Sequence, residues 1–315
     1  MSYLQTTLVK ALHIRHVAET TSQPAHEKAI EIYGASSAVA EMIQGNLKNI
    51  FNNSGLPDYA AVQASSQFIN LAKETSIIGA IESTGKPVIH MPIDESLIGL
   101  ELAPVQPVAQ AYPTQTLSDE QQEFTLVPHK LGGFIVVSDR FLSDHYFPKV
   151  EPLINQALLS SYVRGENLDF VAMVSSDALT VASTSSFKAD LANALASMDN
   201  PANAIILMNP ATALTESINL NNPADSLGVL GGFIAGVPVI ADIAVPVGKK
   251  IVIDASRLVI ASNAVVDIRL TNEAMVSDLV GQPIHLFQQN KAAFMILATT
   301  GYSFLAGYQP IIIGD

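Results

Sequence analysis

Cysteine and tryptophan are both absent from the 315 residues. Without cysteine the chain has no disulfide, no thiolate nucleophile and no cysteine zinc site, and it can fold in a reducing cytoplasm. Charged residues are also scarce, at 14% against about 25% in a typical soluble domain. Hydrophobic residues make up 49%, which excludes a disordered chain. So thinly charged a surface favours either membrane insertion or burial against other chains.

Long apolar segments of the kind that cross a bilayer are lacking as well. A spanning helix needs about 20 predominantly apolar residues. The longest uncharged stretch, 292–314, is broken by glycine, proline and hydroxyl residues, and 227–241 contains four glycines and a proline. The opening MSYLQTTLVK has no apolar core of a secretory signal. We therefore predict burial in an assembly, with no membrane partner.

Positive charge is in short supply. Sixteen Lys and Arg face 29 Asp and Glu, for a net charge of −13. This balance excludes a broad face that neutralises nucleic-acid phosphates. It is compatible with a wall that encloses nucleic acid and gains from not adhering to it.

The segment between Lys86 and Lys130 has no Lys or Arg, but it has six prolines and six acids. The acids are Asp94, Glu95, Glu101, Asp119, Glu120 and Glu123. The prolines exclude a helix and a central strand. What remains is a long two-stranded arm, which needs another surface to lie on because an isolated hairpin is barely stable.

An acidic arm predicts a landing surface that carries cations. Surface ion pairs contribute only about 0–1 kcal/mol each, but many copies of one contact add up. The candidates near or on the long helix of the chain are Lys130, Arg140, Lys149 and Arg164.

The sequence shows no recognisable arrangement of catalytic residues. None of the seven histidines has a metal-ligand spacing, and Ser143, Asp144 and His145 are adjacent and cannot converge as a triad. The glycines at 228, 231, 232 and 236 lack the Lys-Ser/Thr ending of a phosphate loop, so we interpret them as a tight turn with close backbone approach. We predict no catalytic, cofactor or metal site.

Helical and strand periodicity divides the chain into successive parts. Residues 1–54 are polar and helical, and 148–170 has the clearest long helical pattern. Residues 187–267 alternate between helices and strands, and 270–315 returns to strands.

Several short motifs carry a family resemblance. They are Asn209-Pro210-Ala211-Thr212 after a buried strand, Gly236-Val237-Pro238-Val239-Ile240, Val245-Pro246-Val247-Gly248-Lys249 before Ile251-Val252-Ile253-Asp254, and Phe287-Gln288-Gln289-Asn290 before Ala292. Their order and spacing over residues 57–315 resemble the major capsid proteins of tailed bacteriophages. These share the Hong Kong 97-type fold with encapsulin shells.

The resemblance implies an α+β fold in six parts. They are an N-terminal scaffold-like arm (1–56), a first part of the P-domain (57–84), an E-loop (85–123), the P-domain with a spine helix at 148–170 (124–186), an axial A-domain (187–267) and P-domain return strands (268–315). We expect residues 1–54 to form a separate helical module outside the shell core. Some relatives crosslink an E-loop lysine to a neighbouring asparagine, but here no lysine lies between Lys86 and Lys130.

The implied function is structural and needs no cofactor. Pentamers and hexamers would close an icosahedral head around double-stranded DNA, without sequence-specific binding. Further partners would be a portal and scaffolding or decoration proteins. The expected location is the virion, after assembly in the host cytoplasm. The alternatives are an encapsulin-type shell that packages cargo enzymes and an α/β enzyme.

Overall fold

A computed structural model describes residues 3–21, 23–37, 39–40, 43, 66, 68–93, 96–99, 122–142, 146–184, 186–219, 226–277, 281–305 and 307–314. Its helices are α1 (Tyr3–Thr21), α2 (Ala25–Tyr33), α3 (Ile77–Ser83), α4 (Phe147–Ser176), α5 (Phe187–Ala196) and α6 (Pro210–Asn219). The mixed α+β class predicted from the sequence is confirmed. Across these residues no helix is long and apolar enough to cross a membrane.

The strands form three larger sheets and two hairpins. In chain order they are β1 (Ile89–Met91), β2 (Ser96–Gly99), β3 (Gln122–Thr125), β4 (His129–Ser138), β5 (Leu179–Val181), β6 (Ala204–Met208), β7 (Gly231–Ile234), β8 (Val237–Ala241), β9 (Lys250–Asp254), β10 (Leu258–Ala261), β11 (Val265–Thr271), β12 (Met275–Ser277), β13 (Pro283–His285), β14 (Lys291–Thr300), β15 (Tyr302–Phe304) and β16 (Ile311–Ile313).

The long helix α4 lies across the antiparallel sheet β11-β14-β4. Its 30 residues correspond to about 45 Å at 1.5 Å per residue. The N-terminal half buries Ile154 and Leu158 against Phe294 and Ile296 of β14. The helix runs six residues beyond the predicted end at 170, because Val171 and Val174 bury in the next cluster.

The α/β unit is a six-stranded sheet in the order β5-β16-β9-β6-β8-β7. The central strands β6 and β9 are buried along their whole length, and α5 and α6 supply Leu191 and Ala213 to its core. The predicted unit 187–267 does not match this sheet. Strands β5 and β16 enter it from outside that range, whereas β10 and β11 pair in other sheets.

The middle of the molecule is a small sheet, β1-β10-β15. Ile77 and Ile81 of α3, Phe170 of α4 and Tyr302 of β15 meet in one buried cluster with the strands of the α/β sheet. This cluster joins the α/β unit to the long helix.

The N-terminal helix α1 is not separate from the rest of the fold, and the expectation of a separate module is corrected here. Val9 and Leu12 are buried in the same cluster as the first half of α4. The His13 ring stacks on Phe147 at 3.7 Å, and its Nε2 lies 2.6 Å from the carbonyl oxygen of Leu142. Local periodicity predicts the helix, but it does not show which surface the helix covers.

Candidate assembly surfaces

The predicted acidic arm does not start at residue 85, because β1 (Ile89–Met91) pairs with β10 of the same chain and Met91 is buried against it. Beyond β1 the arm is described only at its base. Strands β2 and β3 pair in antiparallel register, from Ser96 opposite Thr125 to Gly99 opposite Gln122. The acids Asp94, Glu95, Glu101, Asp119 and Glu120 lie outside the described residues. Where the arm lands therefore stays a prediction.

All four predicted cations are exposed. Lys130 is exposed on β4, while Lys149 and Arg164 are exposed on α4. Fifteen residues of helix separate Lys149 from Arg164, which is about 22 Å. Arg140 lies in the turn before α4, where its guanidinium donates to the Tyr146 hydroxyl at 3.4 Å and lies over that ring. The structure thus brings two of the four onto one helix.

A groove of about 530 Å³ runs between α4 and the loop after β8. Arg164 lies on it, and its apolar lining is Leu159, Val163, Leu168, Ile243 and Ala244. Leu168 is 48% exposed and Ile243 71% exposed. Exposed apolar side chains beside a cation are typical of a protein interface.

The same loop is held rigidly against the helix. The Asn167 side-chain amide donates to Asp242 Oδ2 at 2.9 Å, and the other oxygen of Asp242 accepts the Ala244 backbone N–H at 2.7 Å. The groove wall is therefore fixed before any partner binds.

A second apolar surface is the outer face of the β11-β14-β4 sheet. Alternate residues point to opposite faces of a strand. One face of this sheet therefore packs in the core, and the side chains on the other face remain on the surface. The outer set includes Val265, Phe134 and Leu297, all exposed, on three adjacent strands.

A third apolar surface is the rim of the α/β unit. Strand β7 is an edge of the six-stranded sheet, and it carries exposed Phe233 next to a turn whose Leu230 is 95% exposed. Ile218 on α6 and Val247 before β9 are also exposed. An apolar edge strand is an open template for contact with another chain.

The middle of α4 carries a buried polar cluster that sequence reasoning missed. Glu166 and Asn167 are buried. The Tyr162 hydroxyl donates to Glu166 Oε1 at 2.6 Å, and Asn167 Oδ1 accepts the Ile77 backbone N–H at 2.9 Å. Burial raises the pKa of the Glu166 carboxyl and that of the Tyr162 hydroxyl.

One turn further on, Asp169 joins two strands to the same helix. His129 Nδ1 lies 2.8 Å from Asp169 Oδ2, and the Tyr302 hydroxyl donates to that same oxygen. Both partners of the carboxylate are anchored in strands β4 and β15. In the part of the chain that the structure describes, no three His, Asp or Glu side chains are grouped as metal ligands.

Comparison with known proteins finds similarity at the level of structure. Neither a family model nor a curated protein matches the sequence. The capsid of a native GTA particle matches at TM-score 0.48 and 12% identity, over 75% of this chain and 89% of that chain. A structure of Gordonia phage Cozz matches at TM-score 0.48 and 14% identity, over 76% and 86%. The satellite phage P4 procapsid, which includes a size determination protein, matches at TM-score 0.45 and 8% identity, over 89% and 97%.

A signal for the polar cluster does exist in the sequence. Tyr162, Glu166 and Asp169 follow Leu158 at spacings of four, four and three residues, which places all four on one helical face. Polar residues in line with a buried leucine indicate buried partners elsewhere in the chain. The sequence does not identify those partners, because they come from residues 73–90, 129 and 302.

Proposed function

We propose that this chain is a phage major capsid protein, which self-assembles into an icosahedral shell around double-stranded DNA and has a structural, non-catalytic role. The observation that carries the proposal is apolar exposure on several separate faces of a chain with only 14% charged residues. These faces are the α4 groove, the outer sheet face and the rim of the α/β unit.

Several separate surfaces fit a shell better than they fit an enzyme. A ligand site is one concave pocket with a few convergent polar groups. A subunit of a closed shell instead meets several neighbours, and each contact buries its own patch. The three surfaces lie on different elements, so three different neighbours can cover them.

The arm at 85–123 is the second part of the proposal. We place its part beyond Ile93 on a neighbouring subunit, because β1 pairs with β10 of the same chain and the Ile93 N–H donates to Asn263 Oδ1. In this arrangement Asp94, Glu95, Glu101, Asp119 and Glu120 face the cations Lys130, Arg140, Lys149 and Arg164. The support is charge complementarity and the exposure of Lys130, Lys149 and Arg164. Packaged DNA would meet a wall of net negative charge, which favours weak contact. A portal and scaffolding or decoration proteins complete the proposed partners.

Electron microscopy of the purified protein tests the class of function. Closed shells are the expected result, and double-stranded DNA inside shells isolated from cells identifies a phage head. Shells that contain a cargo enzyme in place of DNA would identify an encapsulin-type compartment. A protein that remains monomeric at high concentration would contradict both shell proposals.

The α4 groove provides a matched pair of variants for the same test. Leu168→Asp places a charge in the apolar groove, whereas Ala172→Asp places it at an exposed position one turn later on the same helix. We expect Leu168→Asp to abolish shells and Ala172→Asp to preserve them, with both subunits folded by circular dichroism. Equal assembly of the two variants would exclude the groove as an interface.

A further inference from the structure

Glu166 is the twentieth of the 30 residues of α4, and its carboxyl group is buried. The residue is only 5% exposed, and it lines a cavity of about 270 Å³ together with Lys73, His90 and Tyr162. Burial of a carboxyl this far from either helix end costs free energy when the group is ionised, because the charge loses its hydration.

One hydroxyl group donates directly to this carboxyl. The Tyr162 hydroxyl, on α4 itself, donates to Glu166 Oε1 at 2.6 Å. Lys73 and Ile78, which lie on either side of the α3 N-cap residue Ser76 in the chain, line the same cavity as Glu166. The carboxyl therefore lies at the contact between the long helix and the segment 68–83.

The charges around Glu166 do not balance at neutral pH. Lys73 Nζ donates to both carboxylate oxygens of Glu82 at 2.9 Å, so one ammonium faces two carboxylates. His90 Nε2 on β1 lies 3.9 Å from Glu82.

The other charged groups near the midpoint of α4 already have partners. Asp169 bonds His129 and Tyr302, and Asp242 bonds Asn167. Ionised Glu166 therefore places an excess negative charge in a largely enclosed site.

We propose that Glu166 is a pH-responsive joint, whose protonation tightens the contact between α4 and the segment 68–83 and whose ionisation loosens it. A neutral carboxyl can still accept the Tyr162 hydroxyl through its carbonyl oxygen, and it removes the excess charge. The joint belongs to the folded subunit, so it can be tested whether or not the chain forms a shell.

The direction of the pH dependence follows from the direction in which the pKa of the Glu166 carboxyl is shifted. Desolvation raises the pKa of Glu166 above its ordinary value of 4.5, against the opposing effects of Tyr162, Ser76 and Lys73. A group whose pKa is raised in the folded state stabilises that state fully below the unfolded pKa. This stabilisation is lost as pH rises through the folded pKa, so the joint is tight at about pH 4.5 and loosens above it.

Hydrogen exchange on unassembled full-length subunit tests the joint. We compare protection factors of the amides at 77–81 between about pH 4.5 and 7.5, with the intrinsic exchange rate divided out. The native chain should lose protection as pH rises, by about tenfold for each unit of pKa shift. Glu166→Gln should remove this loss and should be at least as protected as the native chain at neutral pH.

A second pair of variants tests the joint even if Glu166→Gln does not fold. Tyr162→Phe removes the hydroxyl that donates to Glu166 Oε1. Loss of this donor disfavours the ionised carboxyl, so the midpoint of the loss of protection should move to higher pH. Thr75→Ala, whose hydroxyl bonds the Ala72 carbonyl instead, should leave the midpoint unchanged. Identical midpoints in the two variants would overturn the proposal.

The histidine beside Glu82 provides the competing explanation. His90→Gln should leave the pH dependence intact if Glu166 is the responsive group. If His90→Gln abolishes the dependence, or if Glu166→Gln retains it, the joint does not titrate through Glu166 and the proposal is wrong.

Discussion

At the scale of single residues, the glycines before β8 allow neighbouring backbone segments to approach closely. Gly231 has φ +94° and Gly232 has φ +141°. A Cβ on Gly231 would lie 2.3 Å from the Val239 carbonyl oxygen, and one on Gly232 would lie 2.0 Å from that of Ser226. The prediction of a tight turn, in place of a phosphate loop, is confirmed.

A pair of glycine variants separates steric overlap from backbone strain. Gly236 also has a positive φ, but a Cβ added there would meet nothing within 4 Å, so Gly236→Ala should cost only the left-handed penalty of about 1–2 kcal/mol. Gly231→Ala must also move a neighbouring strand and should cost about 3 kcal/mol or more. Urea unfolding of both variants measures the difference, and equal costs would refute the steric explanation.

Residues of α4 show where helical periodicity is a poor guide to burial. Leu153 and Leu168 fit the predicted apolar face, yet both are exposed. Glu166 and Asn167 are buried instead, because their polar groups bond Tyr162, Ile77 and Asp242. A pattern that counts only apolar residues assigns such positions to the wrong face.

At the scale of elements, α1 is an integral part of the core. Its Leu12 is 4% exposed and packs with the first half of α4 and the β11-β14-β4 sheet. Lys10 of α1 adds an ion pair to this contact, because its Nζ lies 3.7 Å from Glu151 Oε2 on α4. Removal of the N-terminal segment would therefore uncover apolar surface of α4.

Leu12→Ala tests the docking of α1. Loss of a buried leucine side chain should lower the free energy of unfolding by about 2–5 kcal/mol. Ile30→Ala on α2 is the control, because Ile30 is exposed and its truncation should change stability by about 0.5 kcal/mol. Urea unfolding followed by circular dichroism gives both values. If Leu12→Ala is as stable as the control, residues 1–21 form a separate module after all.

At the scale of the whole molecule, the charge distribution decides how copies meet. The net charge is −13, so copies repel one another at long range. Assembly then needs apolar contacts and local pairs of opposite charge. The exposed Arg164 beside an apolar groove offers both at one place.

Charge reversal at Arg164 tests the electrostatic part of assembly. If the acidic arm lies on this helix, Arg164→Glu should impair shell formation, whereas Lys188→Glu on the exposed side of α5 should not. Native shells should also lose stability as salt rises from about 0.05 to 0.5 M, because screening shortens the range of the ion pairs. Light scattering measures both effects. Assembly that is indifferent to salt and to Arg164→Glu would place the arm elsewhere.

Features that depend on composition and local pattern could be predicted from the sequence. The proline-rich acidic segment predicted a two-stranded arm, whose base is the pair β2-β3, and the glycine cluster predicted a close turn. The long helix was found within a few residues at its start, because Pro148 is suited to the first turn of a helix.

Contacts between distant segments emerged with the three-dimensional fold. Strand β16 joins β9 and β5 in the α/β sheet, α1 covers the start of α4, and Asn167 of α4 accepts the Ile77 backbone N–H of α3. Each of these contacts joins residues far apart in the chain. A backbone ladder can form with any strand of matching length and burial, and a buried polar group can bond any partner within reach. The local sequence therefore does not specify which strands pair or which polar groups bond. The packing of the whole chain decides both.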